Sequence, residues 1–88
     1  MLGERKTKVA LAFGRVLRRL RKQKGFTQEK LALEAEIEPN FISLIGLGRN
    51  QPSIATIFKL ASALEISAGK LVELAETEFR NPRPGIRR

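Results

Sequence analysis

Residues 25–53 read GFTQEKLALEAEIEPNFISLIGLGRNQPS, and this stretch decides the fold. Gly25 supplies the left-handed residue that ends a helix, so a new element has to begin behind it. Thr27 is a good N-cap, because its hydroxyl takes up a free backbone N–H of the next turn. The segment that follows, Gln28 to Ala35, is short and turns Leu31, Ala32 and Ala35 to one side. A further segment begins near Glu38. Pro39 suits its first position, where the missing N–H costs nothing, and Ile37 and Ile42 are spaced to close as a hydrophobic staple. Phe41, Ile42 and Ile45 point inward as core residues rather than as wedges between bases, and Gly46 and Gly48 end the segment. Helices of about eight residues are unstable alone in water. The two must therefore hold each other at a fixed angle. That leaves the outward face of the second as a rigid probe, of a width the DNA major groove admits.

The flanks are helical too. Upstream, Val9, Phe13, Val16, Leu17 and Leu20 recur at helical spacing, which predicts a helix from about Lys8 to Lys24. Downstream, after the polar loop Arg49-Asn50-Gln51-Pro52, Ser53 caps a segment from about Ile54 to Leu64, with Ile54, Ile57, Phe58, Leu60, Ala61 and Leu64 inward. Ser67 caps the last, about Ala68 to Thr77, which carries Leu71, Val72 and Leu74. No strand pattern, internal repeat or phosphate-cradling glycine motif occurs. The expected fold class is all-α with five helices around a central helix-turn-helix. The expected organisation is a basic N-terminal arm (residues 1–7), the helical domain (8–78) and a flexible Arg/Pro-rich tail (79–88), disordered in isolation.

Composition narrows the function. Eighty-eight residues make one domain. The chain has no cysteine and no histidine. Disulfides, thiolate metal sites and thiol catalysis are excluded, and the commonest general base is missing. An enzyme is not expected, nor a cofactor or a metal. No apolar run approaches the roughly 20 residues that span a bilayer, and the start does not read as a signal peptide, so a cytoplasmic protein with no membrane partner is expected. The net charge is +8. It is concentrated at the ends: residues 1–25 hold nine Lys/Arg and one Glu, residues 26–79 four Lys/Arg and eight Glu, and residues 80–88 four Arg. Such basic segments favour nucleic acid, because each neutralised phosphate releases counterions. A solvated, solubilising charge run is the plainer alternative.

Residues 13–74 resemble a known family, the Cro/cI-type helix-turn-helix proteins, also called the XRE family. The segments KGFTQEKLA (24–32), FIS followed by GLGRNQPS (41–43 and 46–53) and LASALEIS (60–67) match its pattern in order and spacing. The resemblance implies a lambda-repressor-like five-helix domain that binds double-stranded DNA and regulates transcription. That covers repression or autoregulation, including the role of restriction–modification controllers. It also implies site residues. Gln28 matches a position that touches a phosphate and sometimes a base. Glu38, Pro39 and Asn40 match the first base-reading positions, and Ser43 and Leu44 the deeper ones. Arg18, Thr27 with the N–H groups behind it, Arg49 and Asn50 match phosphate contacts.

These residue types suit those roles. Asn40 can bond adenine N6 and N7 together, and Leu44 can pack on a thymine methyl. Glu38 can accept from cytosine N4, although capping the helix is the reading we favour. Three departures from the family pattern stand out. Glu36 replaces the glycine usual in the tight turn. Gly46 replaces a glutamate that pairs with an arginine of the first helix. Arg21, in that arginine's place, is left to bond a carbonyl or reach a phosphate. Glu34, Glu36 and Glu38 also put negative charge near the DNA-facing turn. A single module binds DNA weakly, so a homodimer is expected, with Leu64, Ile66, Ala68, Leu71, Val72 and Leu74 at the interface. The alternative function is an antitoxin-like or other protein-interaction module with a protein partner, DNA binding being secondary.

Overall fold

The structure, a computed structural model, describes residues 2–83, with side chains from residue 7 onward. Its elements are α1 (Leu2–Gln23), α2 (Gln28–Ala35), α3 (Pro39–Gly46), α4 (Ile54–Leu64) and α5 (Ala68–Arg80), with no strand among the described residues. This is the five-helix all-α architecture expected.

The helix starts follow from local chemistry. Thr27 Oγ1 accepts from the Lys30 N–H at 3.0 Å, Ser53 Oγ from Thr56 at 3.1 Å and Ser67 Oγ from Lys70 at 2.9 Å. Each satisfies a donor that the first turn leaves free. Glu38 does the same for Phe41 at 3.3 Å. The turn between α2 and α3 closes through Glu36, which adopts the left-handed conformation at φ 58°. Its N–H reaches the Leu33 carbonyl at 3.2 Å, and the Ile37 N–H reaches Ala32 at 2.9 Å.

Two boundaries differ from expectation. The α1 backbone starts at Leu2, not Lys8, so residues 2–7 continue the helix where a separate arm was expected. No proline interrupts them, and propagation adds one hydrogen bond per residue. At the other end α5 runs to Arg80, past Thr77. The cause is Glu78, only 4% exposed, whose Oε1 accepts from Arg19 Nη1 at 3.4 Å while its Oε2 lies 3.9 Å from Arg15. Glu78 Oε2 also takes the Arg83 N–H at 3.3 Å. Of the expected tail, residues 84–88 lie outside the described residues.

The core joins Phe13, Val16 and Leu17 of α1 to Leu31, Ile42, Ile45, Leu60, Leu64 and Leu71 of the other helices. α1 packs along α5 and crosses α3, while α2 fits between α3 and α4. Three residues expected inside lie outside: Val9, Ile54 and Phe58 are 41%, 69% and 62% exposed. Successive helical residues turn by about 100°. The α4 core stripe is Ile57, Leu60, Ala61 and Leu64, which leaves Ile54 and Phe58 on its flank. Conversely, Leu64 and Leu71, expected at a dimer interface, close the protomer's own core at 5% and 0% exposure and offer a partner no surface.

Candidate nucleic-acid interface

α3 is locked from one side and open on the other. Ile42 and Ile45 are buried, Phe41 is half-buried, and Pro39 and Asn40 are exposed. Ser43 and Leu44, one turn beyond Asn40, are partly exposed. Residues three and four apart share a helix face, so Asn40, Ser43 and Leu44 form one outward ridge with a hydrogen-bonding end and an apolar end. Glu38 sits at the helix entrance. Its carboxylate already accepts from the Phe41 N–H, which favours the capping role over a base contact.

Candidate phosphate-binding groups surround this ridge. Gln28 begins α2, and Thr27, its cap, leaves the first N–H groups of that helix facing outward, where the dipole favours an anion. Beyond α3, the Arg49 and Asn50 N–H groups both turn back to the Leu44 carbonyl, at 2.9 and 3.4 Å. That fixes the loop against the end of α3, with the Arg49 side chain in solvent. Arg18 is exposed on α1, and its aliphatic stem lies beside Gly46, where an added Cβ would be 3.3 Å from its Cγ.

Arg21 behaves differently. Its Nη1 donates to the Phe26 carbonyl at 2.6 Å. With no glutamate at position 46, the guanidinium serves the turn between α1 and α2. Two more cations stand by that turn: Lys24 Nζ and Lys30 Nζ lie 5.5 and 5.8 Å from the Phe26 ring centroid. Of the three glutamates near the DNA-facing turn, Glu34 is paired with Lys30 at 2.9 Å, and Glu36 is exposed.

Arg15 is a cation the sequence reading passed over. It stands one turn before Arg18, its side chain is 54% exposed, and Glu78 at 3.9 Å holds it only loosely. The spacing of three from Arg18 was the available signal. Among the described residues, no group of His, Cys, Asp or Glu is arranged to hold a metal ion, and no helix is long and apolar enough to cross a membrane.

Comparison with known proteins agrees with this geometry. The Helix-turn-helix family model matches residues 17–71. The HTH-type transcriptional regulator y4dJ of Sinorhizobium fredii is 37% identical over 54 residues, 61% of this chain and 70% of that protein. The restriction-modification controller protein C.AhdI from Aeromonas hydrophila superposes with a TM-score of 0.69 at 35% identity, covering 70% of this chain and 94% of that one. The clp gene regulator ClgR from Corynebacterium glutamicum does so with a TM-score of 0.76 at 26% identity, covering 82% and 77%. A matched span that runs from α1 to α5, with two short helices and their turn at its centre, places this chain in the XRE-type helix-turn-helix family.

Proposed function

We propose that this DNA-binding transcription regulator acts as a homodimer on a pseudo-palindromic operator, each protomer laying α3 in the major groove of one half-site. The observation that carries the reading is the open ridge of Asn40, Ser43 and Leu44 on a helix whose other side is anchored by Ile42 and Ile45. In this reading Asn40 bonds an adenine edge, Leu44 packs on a thymine methyl and Ser43 bonds a base or phosphate. Pro39 packs where the helix enters the groove, Gln28 and the N–H groups behind Thr27 take a phosphate, and Arg18, Arg49 and Asn50 hold the backbone on the other side of the ridge.

Half-sites read from one face lie about 34 Å apart. A single protomer, 35 Å in its longest dimension, has one reading helix and cannot occupy both. Apolar side chains are available for pairing: Ile54, Phe58 and Val72 are well exposed, and Ile66, Ala68 and Leu74 are half-buried. The likeness to a restriction-modification controller supports a controlling role; the proposal makes that role repression or autoregulation, in the cytoplasm. Selection of bound duplexes from a random DNA pool tests the proposal. An enriched inverted repeat with half-sites about one helical turn apart is expected; no enrichment overturns it.

One surface favours a second reading, an antitoxin-like or other protein-interaction module. Leu33, 72% exposed on α2, borders a depression that also contains Ile37, Glu29 and Glu36. A stoichiometric protein recovered with the chain after nuclease treatment, together with no enrichment of DNA sequence, would establish that alternative.

A further inference from the structure

α3 is seated on α1 almost backbone to backbone. A Cβ added to Gly14 would lie 2.5 Å from the Ile45 carbonyl oxygen and 2.7 Å from that of Gly46. No side chain can occupy that space, and carbonyl oxygens, unlike the end of a flexible side chain, cannot step aside without moving the helix that carries them. One turn earlier, a Cβ on Gly48 would meet Leu11 Cδ2 at 2.6 Å and Leu11 Cα at 3.0 Å. One turn later, the Arg18 stem lies along Gly46. Leu11, Gly14 and Arg18 are spaced by three and four, so one face of α1 carries all three contacts. Each meets the C-terminal end of α3 or the turn just behind it. Helices packed through ordinary side chains keep their axes about 8–10 Å apart; the glycines remove that spacer here.

We propose that Gly14 is a positioning residue for DNA reading: by letting the carbonyls of Ile45 and Gly46 rest on α1, it sets the angle at which Asn40 and Leu44 meet base edges. The inference rests on the proposed reading by α3. It differs from a purely structural role, because it concerns the aim of the helix rather than the survival of the fold. Adding one methyl group at Gly14 pushes the far end of α3 outward while Ile42 still anchors its middle, so the ridge tilts. Misaimed side chains lose base contacts, whereas phosphate contacts by flexible arginines adapt. The Gly46 position is a matched control. A Cβ there meets only the Arg18 stem, at 3.3 and 3.4 Å, and that side chain can move.

The test uses the full chain and two duplexes of equal length, the consensus enriched from the random pool and a scrambled version. Affinities are measured by fluorescence anisotropy at one salt concentration, and folding is followed by circular dichroism. If wild type shows no preference between the duplexes, the underlying reading by α3 has failed. If it does, Gly14→Ala is expected to lower the consensus-to-scrambled affinity ratio about tenfold, with scrambled DNA bound within about twofold of wild type, while Gly46→Ala keeps most of the ratio. A Gly14→Ala protein that keeps its ratio within about twofold, or loses both affinities in parallel, overturns the proposal. Leu11→Ala guards against a variant that does not fold. It removes the contact beside Gly48 without adding an atom, at a residue already 37% exposed. It is expected to lower the ratio about threefold, and if Gly14→Ala is unfolded, an unchanged ratio in Leu11→Ala refutes the role.

Discussion

Asn40 and Leu44 can be separated from their neighbours by what their loss should do. Replacing either with alanine should cost about 1–3 kcal/mol of discrimination between the selected operator and its point variants. Affinity for scrambled duplex should stay unchanged, as anisotropy titrations will show; equal losses on both DNAs would remove them from base reading. Glu36 makes a different prediction. A left-handed backbone costs a non-glycine residue about 1–2 kcal/mol, while glycine loses about 0.5–1 kcal/mol more conformational freedom on folding than other residues. Relief outweighs that loss, so Glu36→Gly should stabilise the protein by about 0.5–1 kcal/mol in urea unfolding. It should also strengthen DNA binding by removing an exposed negative charge beside the turn. The strain at Glu36 was legible through the family resemblance, whose pattern puts a glycine at that place in the turn. The same conformation at Glu65, φ 61°, was not. Nothing in Leu64-Glu65-Ile66 marks it, and its N–H bond to the Ser62 carbonyl at 3.1 Å appears only once α4 has an end. Arg21 was legible only as a pair of alternatives. The choice depended on where the Phe26 carbonyl would point.

Among the elements, the three short helices α2, α3 and α4 were placed by their caps, since a cap is a local interaction. α1 and α5 were not, because what extends them is distant in sequence. Glu78 and Arg19 are 59 residues apart, and their contact exists only after the two helices pack. Glu78→Ala should therefore destabilise the protein by about 2 kcal/mol, the range of a hydrogen bond to a charged group. Most of that comes from Arg19, whose side chain is 23% exposed; Arg15, at 54%, adds little. Equilibrium urea unfolding measures it, and an unchanged midpoint would show that α5 holds to α1 through apolar contacts alone. On α4 periodicity misled for a plain reason. Ile54 and Phe58 sit beside the core stripe, and an apolar residue on the flank has the same spacing signal as one at the centre.

At the scale of the molecule the flank residues become useful. Val72 belongs to the expected pairing surface and is exposed, and Ile54 and Phe58 are exposed apolar side chains on the helix that leads into it. The double variant Phe58→Lys, Val72→Glu should sediment as a monomer at concentrations where wild type is a dimer, and should lose operator affinity by at least tenfold. A dimer that survives it would move the interface elsewhere. Charge acts at the same scale. Each phosphate contact removed should reduce the salt slope of binding by about 0.9. Arg18→Gln and Arg49→Gln together should thus lower it by about two per protomer, without changing the preferred sequence. The seat of α3 has a bearing on how such a protein acquires new targets. Its rest is made largely of main-chain atoms, which are the same whatever letters the outer side of the helix carries. Exchanging positions 39, 40, 43 and 44 should retarget the protein to a new operator as long as Leu11, Gly14 and the run from Ile45 to Gly48 are left alone. Transplanting a whole foreign helix without that cradle should yield a folded protein with no address.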